Sequence, residues 1–142
     1  MSYQADDLKY GEEMENEVLN KLNLFFNLNM KKEIGKYSIF DFADKEKKVK
    51  MELKSRKNMN FRTYDSLMVG YNKIRKARLK MKYDPDYKFY IVWKLDDGLF
   101  FYEVEKDFDV KCVRVSGRSD RGCIERSQYA HIPLIKIKKI YL

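Results

Sequence analysis

The stretch that decides the fold is residues 39–56, which read IFDFADKEKKVKMELKSR. Two short apolar runs flank a charged turn over residues 44–48, a pattern typical of a β-hairpin. The second run alternates apolar and charged residues, so its side chains are predicted to point to opposite faces of a strand. The apolar face holds Val49, Met51 and Leu53, and the charged face holds Lys50, Glu52 and Lys54.

Two carboxylates of this stretch are predicted to face each other. If the hairpin turns between Glu46 and Lys47, Asp41 lies opposite Glu52, with Cβ atoms about 4.5–5.5 Å apart. Two carboxylates at this range repel unless a cation lies between them, and a hard divalent cation prefers oxygen ligands. Lys54 on the same face is placed to orient a water or to stabilise charge developing on a phosphate. The alternative interpretation is a solvated face held by cross-strand salt bridges.

The order Asp41, then Glu52-Leu53-Lys54, resembles the signature of the PD-(D/E)xK nuclease superfamily, although Phe40 stands where the family pattern has a proline. The resemblance implies an α/β fold with a central mixed β-sheet flanked by helices, the restriction-endonuclease-like core. It implies metal-dependent hydrolysis of phosphodiester bonds in DNA, with Asp41, Glu52 and Lys54 as catalytic residues. Asp41, Glu52 and the backbone carbonyl of Leu53 would hold Mg²⁺ or Mn²⁺.

A further carboxylate ligand is expected from a first helix, predicted over residues 5–26. The residues at core-facing spacing in it are Met14, Val18, Leu22 and Phe25. The segment that starts at Gly11 resembles the first helix of archaeal-type Holliday junction resolvases, in which a glutamate four residues after a glycine joins the metal site. The corresponding residue here is Glu15. Three neighbours remain alternatives: Glu12, Glu13 and Glu17.

Basic residues outside the hairpin are candidates for DNA contact. A second helix is predicted from Asp65 or Ser66 to about residue 81, and its exposed charges are of one sign, which favours phosphate contact. The resemblance implies that this helix adds a Gln or Lys near the site, and Lys73 is the candidate. Residues 116–128 form a loop with arginines that either clamps a backbone or is mobile surface. The predicted DNA-binding residues are Arg56, Lys57, Lys73, Lys76, Lys80, Arg118 and Arg121.

The rest of the chain reads mainly as strands. Strands are predicted over residues 87–95, 99–104 and 110–115, and residues 132–140 are predicted as a strand or short helix. His131 is the only histidine and is expected to be structural. With two cysteines and one histidine, a Cys/His zinc site of the usual kind is excluded.

Composition limits the classes of function. The chain has 142 residues, which predicts one domain over 1–142, and its net charge of +8 favours a polyanionic partner such as DNA. No apolar run is long enough to span a membrane and no secretory signal is recognised, so we expect a soluble intracellular protein, which the resemblance allows to be phage- or virus-encoded. A resolvase-like activity would require a two-fold homodimer. The alternative function is a non-catalytic basic module that binds nucleic acid on a nuclease-like fold.

Overall fold

The structure is a computed structural model. It describes residues 2–35, 39–107, 111–114 and 128–141, and it describes their side chains except for residues 2–12 and 111–114. The predicted loop arginines, Arg118 and Arg121, therefore lie outside the described residues. Within the described part of the chain, no helix has the length and apolar character needed to cross a membrane.

The described elements form two sheets and two helices. In chain order they are α1 (Ser2–Phe26), β1 (Lys31–Lys32), β2 (Phe42–Asp44), β3 (Val49–Ser55), β4 (Ser66–Gly70), α2 (Tyr71–Tyr83), β5 (Lys88–Leu95), β6 (Gly98–Glu103), β7 (Lys111–Arg114), β8 (Gln128–Pro133), a 3₁₀ turn (Leu134–Lys136) and β9 (Lys138–Lys139).

The larger sheet has the strand order β1-β2-β3-β5-β6-β9. Only the β3–β5 pair in it is parallel, so the sheet is mixed. α1 packs on one face, where Val18 and Leu22 join the cluster that contains Met51. α2 packs on the other face, where Ile74 joins the cluster that contains Trp93. The predicted α/β fold, a central mixed sheet flanked by helices, is therefore confirmed.

The hairpin forms in the register predicted from the sequence. Phe42 pairs with Met51 and Asp44 pairs with Val49, which centres the turn between Glu46 and Lys47. The turn spans residues 45–48, and Lys48 adopts a φ of 57°, a left-handed conformation that is uncommon for a residue other than glycine. The side chain of Asp44 supports this turn, because its Oδ1 accepts a hydrogen bond from the Lys47 N–H at 3.0 Å.

α1 meets the sheet along a slightly different stripe from the predicted one. Val18 and Leu22 are buried as expected, but Phe25 is exposed and Phe26 packs instead, with its ring centroid 4.9 Å from that of Tyr90. The reason is helical geometry: residues spaced by four lie within about 40° of one another around the axis, and Phe26 continues the series from Val18 through Leu22.

The start of the second helix differs from the prediction, which was wrong. Residues 66–70 form β4, which pairs antiparallel with β8, and α2 begins only at Tyr71 after Gly70. Asp65 and Ser66 therefore do not cap the helix, and Leu67 reaches the core from a strand. Residues 132–140 contain both predicted alternatives, a strand end and a short helix, followed by β9. The strand predicted over residues 87–95 is β5.

Core packing on the α2 side gives a direct test of the fold. Ile74 has no exposed surface, whereas Leu79 on the same helix is 54% exposed. We expect Ile74→Ala to lower the free energy of unfolding by about 2–5 kcal/mol, because it removes buried methyl groups and leaves a cavity. Leu79→Ala is the matched control and should change the free energy of unfolding by less than about 0.5 kcal/mol. Urea denaturation measures both, and equal losses would contradict this placement of α2.

Candidate active site

Asp41 lies at the point where the hydrogen-bonded ladder between β2 and β3 ends. Its Oδ2 accepts a hydrogen bond of 2.8 Å from the backbone N–H of Leu53. Because the N–H and C=O of one strand residue point to the same side, the carbonyl of Leu53 also faces the β2 side. The carboxylate of Asp41 is thus fixed next to the backbone of the Glu52-Leu53-Lys54 segment.

Glu52 is the most unusual residue of this region, because its carboxylate is buried. The residue is 5% exposed, and the hairpin register, continued by one residue beyond the Phe42–Met51 pair, places it opposite Asp41. Two ammonium groups bracket it: the Lys54 Nζ lies 3.4 Å from Oε1 and the Lys73 Nζ lies 3.2 Å from Oε2. Among the described residues, Glu52 Oε2 has no partner other than the Lys73 ammonium, which contacts it as an ion pair.

The environment of Glu52 disfavours its charged form. Burial raises the pKa of the carboxyl, and the neighbouring charge of Asp41 raises it further. Lys54 and Lys73 act in the opposite direction and lower this pKa, but they do not cancel the increase. A buried carboxylate beside a second carboxylate is therefore kept at the centre of the site at a cost in stability.

Lys73 connects α2 to this centre. It lies in the first turn of the helix, and its Nζ donates a hydrogen bond to the backbone carbonyl of Ile39 as well as contacting Glu52. Ile39 lies two residues before Asp41 in the chain. The sequence predicted Lys73 both as a DNA contact and as the helix residue near the site, and the geometry places it in the site.

Glu15 lies apart from the carboxylate pair. Its Oε2 is 3.4 Å from the Nζ of Lys32 on β1, and the Glu15 side chain is 47% exposed. Lys32 pairs with Phe42, which in turn pairs with Met51, so these three residues share one face of the sheet. Glu52 follows Met51 and points to the opposite face. Glu13 and Glu17 are exposed, and the side chain of Glu12 is outside the described ones.

The residues that are brought together fit a hard divalent cation. Asp41 and Glu52 offer carboxylate oxygens, Glu52 Oε2 is buried without a hydrogen bond, and Leu53 offers a backbone carbonyl. These are the oxygen ligands that Mg²⁺ and similar ions prefer. Among the side chains that the structure describes, no three Asp, Glu, His or Cys groups form a ready-made metal cluster.

A cavity of about 500 Å³ is lined by Lys54, which contacts Glu52, and we name this cavity groove A. It lies between β4, the first turn of α2 and the start of β8, and Tyr71 and Tyr129 contribute aromatic surface to it. Its cationic lining residues are Lys54, Arg56, Lys73 and Arg75. Of the residues predicted to bind DNA, Arg56 and Lys73 line this groove, whereas Lys57 is exposed and does not line it.

A second cavity, of about 520 Å³, is named groove B. It is bounded by the segment after β1, by Ile39 and Phe40, and by the middle of α2. Its cationic lining residues are Lys45, Lys50, Lys76 and Lys80. Lys76 and Lys80 were predicted to bind DNA, and they line this groove together. Lys73 contacts Glu52 from the helix that borders both grooves.

Comparison with known proteins gives one match. A model of the family described as "Phage putative PDDEXK endonuclease" matches residues 5–140 of the chain. No curated protein and no solved structure matches significantly. The matched span contains Asp41 and the Glu52-Leu53-Lys54 segment, and the mixed sheet between two helices is consistent with a restriction-endonuclease-like core.

The raised pKa of Glu52 predicts a specific pH dependence of stability without metal. A carboxyl group whose folded-state pKa is raised favours the folded state below its unfolded pKa of about 4.3, and this contribution is lost as pH rises through the folded value. The free energy of unfolding of the wild type, relative to Glu52→Gln, should therefore fall as pH rises from about 4 towards 7. Urea denaturation in EDTA measures the difference, and a difference that is constant or grows with pH would contradict it.

Proposed function

Because this chain belongs to the phage PDDEXK endonuclease family, we propose that it is a metal-dependent endonuclease that hydrolyses phosphodiester bonds in DNA. The observation that carries the proposal is that Asp41 and Glu52 lie opposite each other. The carboxyl group of Glu52 is buried, and its pKa is raised. A buried carboxylate held beside a second carboxylate is costly for a protein that only binds DNA. It is useful to a protein that holds a cation there.

The residues of the pair have separate tasks in this proposal. Asp41 is fixed by the Leu53 N–H through Oδ2, which leaves Oδ1 to act as a ligand. Glu52 supplies Oε2, and the carbonyl of Leu53 supplies a third oxygen. A divalent ion held there would lower the pKa of a coordinated water and would offset negative charge on the scissile phosphate.

Lys54 and Lys73 both contact Glu52, but Lys73 is held by a second contact within the protein and Lys54 lines a groove. Lys73 is held between the Ile39 carbonyl and Glu52, so it keeps Glu52 and the segment before Asp41 in place. Lys54 contacts Glu52 at 3.4 Å and also lines groove A, so its ammonium reaches the solvent side where a phosphate would arrive. We assign to Lys54 the alignment of the attacking water and the stabilisation of charge on the phosphate.

The two grooves support nucleic acid as the substrate. Four cationic side chains line each groove, and both grooves border α2 next to the carboxylate pair. A DNA backbone that crosses the site from one groove to the other would meet positive charge on both sides of the bond that is cut. Tyr71 and Tyr129 also line groove A, and in this proposal their aromatic rings stack on bases.

Cleavage of branched DNA and assembly into a homodimer remain predictions that rest on the resemblance to Holliday junction resolvases. Symmetric cleavage of a junction needs two sites related by a two-fold axis, whereas nicking needs one. A nicking assay on branched, linear and single-stranded DNA, with Mg²⁺ and with EDTA, separates these activities. Binding without cleavage on every substrate would favour the alternative, a non-catalytic module.

Asp41→Asn and Glu52→Gln should each reduce cleavage by at least about a hundredfold, because each removes a charged oxygen ligand and the electrostatic stabilisation that depends on it. DNA binding in EDTA should be retained, since neither residue contributes positive charge. Two exposed acidic residues provide matched controls, Glu46→Gln and Asp86→Asn. Cleavage that survives in either site variant at the level of the controls would refute the proposed site.

The affinity for DNA should depend steeply on salt, with Lys76 and Lys80 contributing through groove B. Replacement of both by Gln should flatten the slope of log K against log salt by about 1.8, because each phosphate contact on duplex DNA contributes about 0.9. The matched control is Lys138→Gln with Lys139→Gln on β9, the edge strand farthest from the site. Fluorescence anisotropy in EDTA measures both slopes. An equal change in the two double variants would show that only net charge matters.

A further inference from the structure

Glu33 lies in the same row of residues as the carboxylate pair. Its backbone N–H donates a 2.8 Å hydrogen bond to the carbonyl of Asp41, which continues the β1–β2 register by one residue. Glu33 is therefore opposite Asp41, just as Asp41 is opposite Glu52. Directly opposed residues share a face, so three carboxylate side chains project from one face of neighbouring strands.

The side chain of Glu33 is largely buried, and within the described part of the chain its ion-pair partner is Lys50. It is 16% exposed, and its Oε1 lies 3.3 Å from the Nζ of Lys50. Lys50 precedes Glu52 by two residues on β3 and therefore projects from the same face. Both Glu33 and Lys50 line groove B, so this ion pair borders the cavity next to the candidate active site.

We propose that Glu33 is a third carboxylate ligand of the divalent metal ion and that it leaves Lys50 when the ion binds. The inference rests on the proposed function. With Glu33 turned to Lys50, the three carboxylates do not form a cluster among the described side chains. Rotation about the side-chain bonds of Glu33 would turn its carboxylate away from Lys50 and towards Asp41, the middle member of the row.

Two observations favour Glu33 over Glu15 for this role. Glu15 reaches Lys32 on the opposite face of the sheet, whereas Glu33 is joined to Asp41 by a backbone hydrogen bond. Glu52 projects from the same face as Glu33, and its buried Oε2 has no hydrogen bond and only the Lys73 ammonium beside it, so a cation on this face would meet an oxygen that is not fully paired. Release of Lys50 would also free an ammonium group for a phosphate in groove B.

Calorimetric titration of the DNA-free protein with Mn²⁺ tests the assignment. Glu33→Gln should weaken Mn²⁺ affinity by about tenfold or more, since loss of a direct ligand costs at least as much as loss of a partner that orients one. Glu15→Gln is the matched control, because it also removes one charge from a lysine ion pair, and its affinity should stay within about twofold of the wild type. Equal weakening in the two variants would indicate a loss of general charge and would overturn the proposal.

Asp41→Asn separates failure of this inference from failure of the proposed function. If Asp41→Asn loses Mn²⁺ affinity and Glu33→Gln keeps it, Glu33 is not a ligand but the site stands. If Asp41→Asn keeps the affinity, the proposed metal site itself is wrong. Thermal unfolding in EDTA establishes that each variant is folded.

Lys50→Met provides a second test should Glu33→Gln fail to fold. It removes the lysine that competes for Glu33, so it should raise the affinity for Mn²⁺. An unchanged or lower affinity would show that Glu33 serves only to hold Lys50 and would overturn the proposal.

Discussion

The structure depends on one constraint, the placement of the Glu52 carboxylate inside the protein directly opposite Asp41. Burial and the neighbouring charge both raise the pKa of Glu52, so the ionised form needs compensation from nearby groups. The fold provides two ammonium groups, one from the same strand and one from α2. The α2 helix therefore carries a charge to the site as well as packing Ile74 into the core.

The β2–β3 hairpin was predictable because its register follows from local sequence. Alternation of apolar and charged residues fixes which face is buried, and a slip of one residue would move Glu52 into the cluster around Met51. The sequence alone is therefore enough to place Asp41 opposite the Glu52-Leu53-Lys54 segment. β5 was predictable for another local reason, since its middle, residues 89–93, is a continuous run of buried hydrophobic residues.

The parts that could not be predicted depend on contacts between distant segments. β4 looked like the start of a helix, because its pairing partner β8 lies about 60 residues later in the chain and leaves no local signal. The position of Glu33 could not be predicted for a similar reason: only the pairing of the two-residue strand β1 with β2, continued by one backbone hydrogen bond, places it opposite Asp41. Glu15 was expected to join the metal site because its helix resembles the first helix of the resolvases. In the structure its carboxylate contacts Lys32, on the opposite face of the sheet from Glu52.

Charge balance across the row would link the proposed metal binding to the proposed DNA binding. Without a metal ion, the carboxylates of Glu33, Asp41 and Glu52 are accompanied by three ammonium groups, those of Lys50, Lys54 and Lys73. Entry of a divalent ion would leave this neutral set with an excess of two positive charges next to grooves already lined by cations. The excess is offset by the phosphates of a bound backbone, each of which carries one negative charge. Each ligand would then strengthen the binding of the other by the same factor, because coupling between two sites is reciprocal.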